Sequence, residues 1–517
     1  MPEKITILDT TLRDGAQTPG VSFSVEDKLA LVGTLDALGV DIIEAGHPAS
    51  NPKDAAFFRK AGALTLGHAR LAAFGATRRK DKTAAEDEQL AALLAAETPV
   101  AVVFGKARLS DVRAVLGCTS AENLAMIEET AAFLKAHGRE VVFDAEHFFD
   151  GYREDAAYAL EALRAALRGG AASLALCDTS GGGSPDEVYD TVRATARAVD
   201  APLGIHCHND GGMAAANTIL AVKAGARQAQ GTLVGLGERC GNAALTTVIP
   251  HLQLKLGFAC LPDLTALTHA ARRAAEIANL PLPEQMPYVG AGAFAHKAGM
   301  HIDGVLKKPD TFEHIDPAAV GNRRRLLTSE VGGRMGLLGL MRALDPTLDK
   351  DSPALADALR RLKDKEHEGY QYEGAEGSLA LLLRRALGRY RPFFELIHFK
   401  TIGEQTQGAP ATAVVKIRVG DRQEVTAAEG EGPVHALDRA LRRALEVFYP
   451  QLGGVRLIDY KVRVLEAGDA TAARVRVLLT STDGRDVWTT TGVSADIIQA
   501  SFQALVDSME YRLTEDK

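Results

Sequence analysis

Eight times in the first half of the chain a short apolar run gives way to a helical pattern, and this alternation limits the fold more than any other feature. The runs are Ile5–Thr10, Val40–Ala45, Arg70–Gly75, Val100–Phe104, Val141–Asp144, Ser173–Cys177, Leu203–His208 and Arg227–Val234. Strands separated by helices pair in parallel through right-handed crossovers. Eight such units in about 250 residues predict a closed (β/α)8 barrel. An open doubly wound sheet is the alternative, but no Gly-x-Gly-x-x-Gly follows the first strand. Helix punctuation agrees with the barrel. Ser24 and Gly39 bracket the first helix, Ser120 opens another that ends before Gly138, and Ser184-Pro185 reads as a cap followed by proline. Asn242 is expected to open the eighth helix, through Val248, Leu252 and Leu256.

In a barrel, function gathers at the C-terminal ends of the strands. Those ends are rich in chemistry here. They carry Asp9-Thr10-Thr11-Leu12-Arg13-Asp14-Gly15, then Glu44, Asp144-Ala145-Glu146-His147, Asp178-Thr179-Ser180-Gly181, His206-Cys207-His208, and Gly237-Glu238-Arg239-Cys240-Gly241-Asn242. Strand side chains alternate faces, so His206 and His208 point the same way. They are either a metal grip or two surface histidines at a strand end. With Asp14 and the amide oxygen of Asn242 they form a mixed nitrogen and oxygen shell. Such a shell leaves open positions and suits Mg²⁺, Mn²⁺, Co²⁺ or Zn²⁺. Open positions suit a 2-oxo acid bound through its carboxylate and keto oxygens, with the ion polarising the ketone. Arg13 offers a fixed cation for the oxyanion that forms when a nucleophile attacks that carbon. A salt bridge from Arg13 to Glu44 or another acid at the barrel mouth is compatible with that role.

The charge and cysteine usage exclude other classes. A net charge of −8 argues against a general nucleic-acid binder. No apolar run is long enough to cross a bilayer, and Met-Pro-Glu-Lys leads straight into a strand without a signal-peptide pattern. The five cysteines show no paired short spacing, which points to a reducing, cytoplasmic setting.

Beyond the barrel, residues 261–391 read as helical and charged, with Ala266–Ala278 and Ala354–Lys365 as examples and a proline break at Pro281-Leu282-Pro283. From Pro392 the period becomes two. Phe394–Lys400, Ala413–Val419 and Arg422–Ala427 precede a helix over Pro433–Phe448. Leu457–Leu465, Ala473–Thr480 and Asp486–Thr491 precede a second over Ser494–Leu513. The expected architecture is therefore α/β. A TIM barrel over 1–260 leads through helical subdomains over 261–391 to an α+β domain of duplicated βββα units over 392–517.

Leu8-Asp9-Thr10-Thr11-Leu12-Arg13-Asp14-Gly15-Ala16-Gln17 resembles the signature of the isopropylmalate synthase and homocitrate synthase family of metal-dependent acyltransferases and lyases. His206-Cys207-His208-Asn209-Asp210, Gly237-Glu238-Arg239-Cys240-Gly241-Asn242 and Ala298-Gly299-Met300-His301-Ile302-Asp303-Gly304 are similar to its other motifs. The resemblance implies Asp14, His206 and His208 as ligands of a divalent metal, with Asn242 a weaker one, and Arg13 as oxyanion stabiliser. It implies Glu146 and Thr179 at the 2-oxo acid or its water network. His301 would take a proton from the acetyl-CoA methyl group, with Asp303 orienting it, both supplied from outside the barrel and often by a neighbouring subunit. Phe312 stands where relatives often carry a tyrosine. It cannot donate a hydrogen bond, so His314 or water is left to take that place and Phe312 is excluded from the site.

Phe74 and Phe104 would leave room for a methyl group but reject a charged arm, which favours pyruvate over 2-oxoglutarate. They disfavour 2-oxoisovalerate less strongly, because extra methyl groups are weak discriminators. Phe143-Asp144-Ala145-Glu146-His147-Phe148-Phe149-Asp150-Gly151-Tyr152 is similar to the citramalate-forming branch more than to the isopropylmalate-forming one. The expected reaction is a Claisen condensation of acetyl-CoA with pyruvate. No phosphate-binding loop for CoA is visible; Gly231, Gly235 and Gly237 would let a nucleotide approach the backbone, and barrel turns explain them as well. The C-terminal region resembles the family's regulatory domain, which implies an end-product amino acid, here isoleucine, as inhibitor, and a homodimer or higher homo-oligomer. Two other readings stay open: 2-oxoisovalerate as substrate, or a catalytically silent amino-acid sensor. A silent relative would be expected to lose Arg13, Asp14 or the histidine pair, and all are present.

Overall fold

Eight parallel strands close a barrel in chain order: β1 (Thr6–Asp9), β2 (Ile42–Glu44), β3 (Arg70–Ala76), β4 (Val100–Lys106), β5 (Glu140–Glu146), β6 (Ser173–Asp178), β7 (Leu203–Cys207) and β8 (Gln228–Gly231). β1 pairs with both β2 and β8, which completes the ring. The structure is a computed structural model that describes residues 2–297, 299–327, 333–403, 410–465 and 473–515. Helices α1 (Val25–Leu38), α2 (Pro52–Ala61), α3 (Glu88–Ala95), α4 (Ser120–Ala136), α5 (Phe148–Gly169), α6 (Pro185–Ala198), α7 (Ala214–Ala224) and α8 (Leu245–Pro250) alternate with the strands.

Local chemistry explains these limits. Ser24 and Asp27 form a reciprocal capping box that starts α1, and Gly39 ends it in the left-handed region at φ 88°. The expected start of the last barrel helix is corrected: α8 begins at Leu245 with Ala244 as its cap, and Asn242 is free for other work. Beyond Pro250 the helix widens to a π-turn over His251–Lys255.

The strand interiors are unequal. Leu8, Ile42, Ala72, Val100, Val102 and Val142 pack with Phe74 into an apolar cluster of their own. Higher up, and on the β7 and β8 side, the buried residues are polar: Glu44, Asp144, His206, Gln228 and Gln230. A plugged floor and a polar upper layer are what place chemistry at one end of a barrel.

The chain divides into two compact units, Met1–Phe294 with Ile315–Arg323, and Ala295–His314 with Arg324–Lys517. In the first, α9 (Leu267–Ile277) packs on α1. The second contains the short parallel pair β9 (Ala295–His296) and β10 (Arg325–Leu326), and helices α10 (Gly299–Lys307), α11 (Gly333–Leu344), α12 (Pro353–His367) and α13 (Glu376–Ala386). Leu337, Met341, Leu355, Leu362 and Leu382 are among the residues that join the last three of these. Two antiparallel sheets follow: β11 (Glu395–Ile402), β12 (Ala411–Val419) and β13 (Arg422–Gly430) with α14 (Pro433–Glu446), then β14 (Arg456–Val464), β15 (Val475–Thr482) and β16 (Val487–Ser494) with α15 (Ile497–Glu515). The expected duplication is present down to a detail. Each first strand slips register at the same place, between Leu396 and His398 and between Leu457 and Asp459.

Burial of Glu510 is expected to make the stability of the second unit depend on pH. Glu510 is 2% exposed, accepts a hydrogen bond from Phe393 N at 3.1 Å, and is pushed up by burial from 4.5 to about 7. An acid with a higher pKa folded than unfolded binds its proton more tightly in the native state, so stability is full below 4.5 and falls as pH rises towards 7. The expected loss is about 1–3 kcal/mol. Trp488 is the chain's single tryptophan and donates to Ser508 in the same core, so its fluorescence reports unfolding there. The urea midpoint by Trp488 is expected to drop between pH 5 and 8, more shallowly in Glu510→Gln. Asp507, raised by burial too, keeps a residual slope. Equal slopes in both proteins would refute the assignment.

Candidate active site

The turn after β1 delivers the first two site residues. Asp9 accepts from Thr11 N at 2.8 Å and Thr11 Oγ1 at 3.0 Å, and Leu233 N donates to Thr11 Oγ1 at 2.8 Å. Arg13 N and Gly15 N both donate to Thr10 O, at 3.1 Å each. The run Asp9–Gly15 is thus tied to the loop after β8, and Asp14 is turned inward, 2% exposed.

β7 supplies the imidazoles. His206 Nε2 lies 3.4 Å and His208 Nε2 3.9 Å from Asp14 Oδ2, and one ligand atom from each of the three residues falls within 4.8 Å of the others. All three are buried. Asn242 is bridged by its backbone to His208. Its Nδ2 donates to Leu236 O at 3.2 Å, and a Cβ at Gly237 would run into that nitrogen. Asp14 Oδ1, His208 Nδ1 and Asn242 Oδ1 are buried without a hydrogen-bond partner among the described residues. Buried acceptors left unpaired are costly. The carboxylate and two imidazoles in reach of one point fit a divalent cation. Electrostatics agree. Burial alone raises Asp14, but Arg13, His206 and His208 overturn that and hold its carboxyl well below the usual range. Burial and the neighbouring His206 push His208 down to about 4, so its ring is neutral and able to ligate.

Arg13 sits beside this cluster. Its Nε donates to Glu44 Oε1 at 2.5 Å, Nη1 lies 3.4 Å from Asp14 Oδ2, and the guanidinium carbon lies 3.8 Å over the Phe74 ring. Phe74 in turn stacks on Phe104, centroids 5.3 Å apart. Burial pushes Glu44 up, the pull of Arg13 opposes this, and Asp144 adds to the rise. Glu146, at the end of β5, pairs with Lys106 at 2.6 Å. Thr179 Oγ1 accepts from His147 N at 2.8 Å, which orders the turn after β5. Arg239 laces the loops: it donates to both carboxylate oxygens of Asp210, at 2.7 and 3.0 Å, and to Thr179 O at 2.9 Å.

An (R)-citramalate synthase from Aquifex aeolicus is 48% identical to this chain, over 100% of it and 99% of that protein. The chain belongs to the citramalate synthase family. A second (R)-citramalate synthase, from Geobacter sulfurreducens, is 46% identical over 98% of this chain and 97% of that protein. A probable 2-isopropylmalate synthase from Methanopyrus kandleri is 33% identical over 98% of both chains. Three family models cover most of the length. They are HMGL-like over residues 4–273, homocitrate synthase post-HMGL domain-like over 288–369, and the LeuA allosteric (dimerisation) domain over 373–513.

In this citramalate synthase family member the structure brings Arg13, Asp14, His206, His208 and Asn242 to one end of the barrel, with Glu146 at the end of β5 and Thr179 just after β6. His301 and Asp303 belong to α10, in the second unit. Residues two apart on a helix do not face each other. Asp303 pairs instead with Lys307 one turn on, at 2.6 Å, while His301 stacks on Phe312 at 4.2 Å between centroids. Gly304 makes room for that ring, since a Cβ there would sit 2.7 Å from Phe312 Cε2. Phe312 therefore shapes the surroundings of His301 without a hydroxyl. Sequence reasoning missed Lys106 and Gln230. Lys106 shares the Phe104 face of β4 two residues on, and the paired glutamines of β8 are a polar repeat inside an otherwise buried strand.

Proposed function

We propose that the chain condenses acetyl-CoA with pyruvate and hydrolyses the product thioester, releasing CoA and citramalate. The buried Asp14–His206–His208 cluster with Arg13 at its side carries this reading. Asp14, His206 and His208 would hold a divalent ion, with Asn242 more weakly; Mg²⁺, Mn²⁺, Co²⁺ and Zn²⁺ all suit the donor set. When bound, such an ion polarises the ketone of a 2-oxo acid. Arg13 stabilises the negative charge that develops on the keto oxygen. Glu146 and Thr179 order the acid or its water. His301 removes a proton from the acetyl methyl group, and the resulting enolate attacks the keto carbon of pyruvate. Asp303 belongs to the same helix and keeps its place through Lys307. Water then cleaves the thioester, and the thiol leaves as CoA.

The aromatic wall beside Arg13, where Phe74 stacks on Phe104, supports pyruvate over a 2-oxo acid with a charged arm and disfavours 2-oxoisovalerate less strongly. The higher identity to citramalate synthases than to isopropylmalate synthases supports the same choice. We assign catalysis to residues 1–260, delivery of His301 to 261–391, and effector binding to 392–517. The match to a LeuA allosteric (dimerisation) domain supports a regulated homodimer, and isoleucine is the effector we assign to it. Among the described residues no helix is long and apolar enough to cross a membrane, and the proposed setting is cytoplasmic.

One assay tests the reading: thiol release from acetyl-CoA with pyruvate or with 2-oxoisovalerate. Extra methyl groups discriminate by roughly 10–200-fold, and kcat/KM is expected to favour pyruvate by that order. A preference for 2-oxoisovalerate would convert the assignment to isopropylmalate formation, and no thiol release with either would favour a silent sensor. Isoleucine is expected to slow the full chain but not one ending at Arg391; inhibition that survives truncation would remove the effector from the C-terminal domain.

A further inference from the structure

β8 points two glutamines into the barrel, Gln228 and Gln230, and the second is fully buried beneath His206. Register sets the pair side by side, with His206 opposite Gln230 on adjacent strands. His206 Nδ1 lies 3.1 Å from Gln230 Oε1. The other end of the amide, Nε2, lies 3.0 Å from Asp144 Oδ1 and 3.2 Å from Gln228 Oε1. The carboxylate oxygen of Asp144 beside that atom assigns it as the nitrogen, because only the nitrogen can donate, and Gln228 then turns its oxygen to the same atom. The oxygen end then faces His206 and can only accept. That leaves Nδ1 as the donor and Nε2 as the atom turned to Asp14 Oδ2, 3.4 Å away.

We infer that Gln230 is a positioning residue: it holds a proton on His206 Nδ1, fixes the ring, and so presents Nε2 to the cation held with Asp14 and His208. Asp144, on β5, and Gln228 hold the amide from the far side and prevent its flip. This inference rests on the metal-binding reading above. The residue touches neither substrate nor cation; it acts through His206. Partners of this kind orient a ligating histidine and typically carry 10–100-fold in metal affinity. The assignment is specific to the amide, since a leucine of nearly the same size would fill the space but offer no acceptor.

The test uses full-length protein and Mn²⁺ alone. By calorimetry, Gln230→Leu is expected to bind Mn²⁺ about 10–100-fold more weakly, whereas Gln230→Glu, which in its protonated form keeps an acceptor towards Nδ1 and a donor towards Asp144, stays within about 3-fold of the wild type. In protein labelled with ¹⁵N-histidine, a ring proton bonded to His206 Nδ1 and protected from solvent exchange is expected. It is assigned by its loss in His206→Asn, and it disappears in Gln230→Leu. Wild-type affinity in Gln230→Leu would overturn the inference, as would equal losses in both Gln230 variants or an unprotonated Nδ1. If Gln230→Leu fails to fold, the wild-type ring proton still decides. If the wild type binds no Mn²⁺, the metal reading fails, and the ring proton alone tests the positioning.

Discussion

Asp14→Asn is expected to lower kcat/KM with pyruvate by about 10³-fold and to abolish measurable Mn²⁺ binding, because the only carboxylate among the four expected ligands is lost. The substitution preserves volume and one oxygen, so packing is not what changes. The loss is electrostatic. Asp14 Oδ2 is the atom that His206, His208 and Arg13 all approach, at 3.4, 3.9 and 3.4 Å. With a neutral amide there, a cation brought to the cluster meets neutral ligands and an adjacent guanidinium, in a buried place where water screens little. Several kilocalories per mole of charge stabilisation at the reacting oxygen depend on that ion, and about 4 kcal/mol corresponds to a thousandfold. The folded protein should tolerate the change with some loss of stability, since Arg13 keeps Glu44 as its counter-ion. Thiol release and calorimetry on the same preparation check both halves. If the Asp14→Asn protein bound Mn²⁺ as tightly as the wild type, the ligand assignment would be lost.

The barrel and the duplicated C-terminal domain were legible because their periods are local. Strand and helix patterns alternate, and a βββα order repeated is visible without knowing any contact. Even the paired register slips fall in corresponding strands. Strand ends were less legible, and that had chemical consequences. Read as ending at Phe104, β4 omits Lys106, which the structure places two residues on and pairs with Glu146. Asn242 has the composition of a helix cap, and that local preference is strong. The chain overrides it: Gly237 leaves space for the amide, the Asn242 backbone bridges to His208, and the amide oxygen is buried without a partner among the described residues. Gln230 was illegible for another reason. Its partners His206 and Asp144 lie 24 and 86 residues away, and only the closed sheet brings them into one layer. Likewise, nothing in the spacing of His301 and Phe312 reveals that their rings stack.

Arg13→Lys separates the two roles open to this residue, counter-ion and oxyanion donor. The guanidinium does three things at once. It donates to Glu44 at 2.5 Å, approaches Asp14 at 3.4 Å, and lays its plane over Phe74 at 3.8 Å. A planar fork can bridge two carboxylates while its face stays on a ring; an ammonium is a compact point charge and cannot. Lysine therefore keeps a positive charge in reach of Glu44 and allows folding, but loses the fixed direction of the donors. Removing one preorganised donor from a developing oxyanion costs about 10²–10³ in kcat. KM for pyruvate is expected to change by less than about 3-fold, the pattern of an interaction made mainly in the transition state. Arg13→Met makes the complementary measurement. It leaves Glu44, fully buried, without its cation, and breaking such a pair costs about 3–5 kcal/mol of stability. If the lysine variant keeps wild-type kcat while the methionine variant unfolds early, Arg13 serves only Glu44, and the charge on the keto oxygen must be met by other groups. If instead the lysine variant folds normally and turns over a hundredfold more slowly, the direction of the guanidinium, rather than its charge, is what the reaction uses.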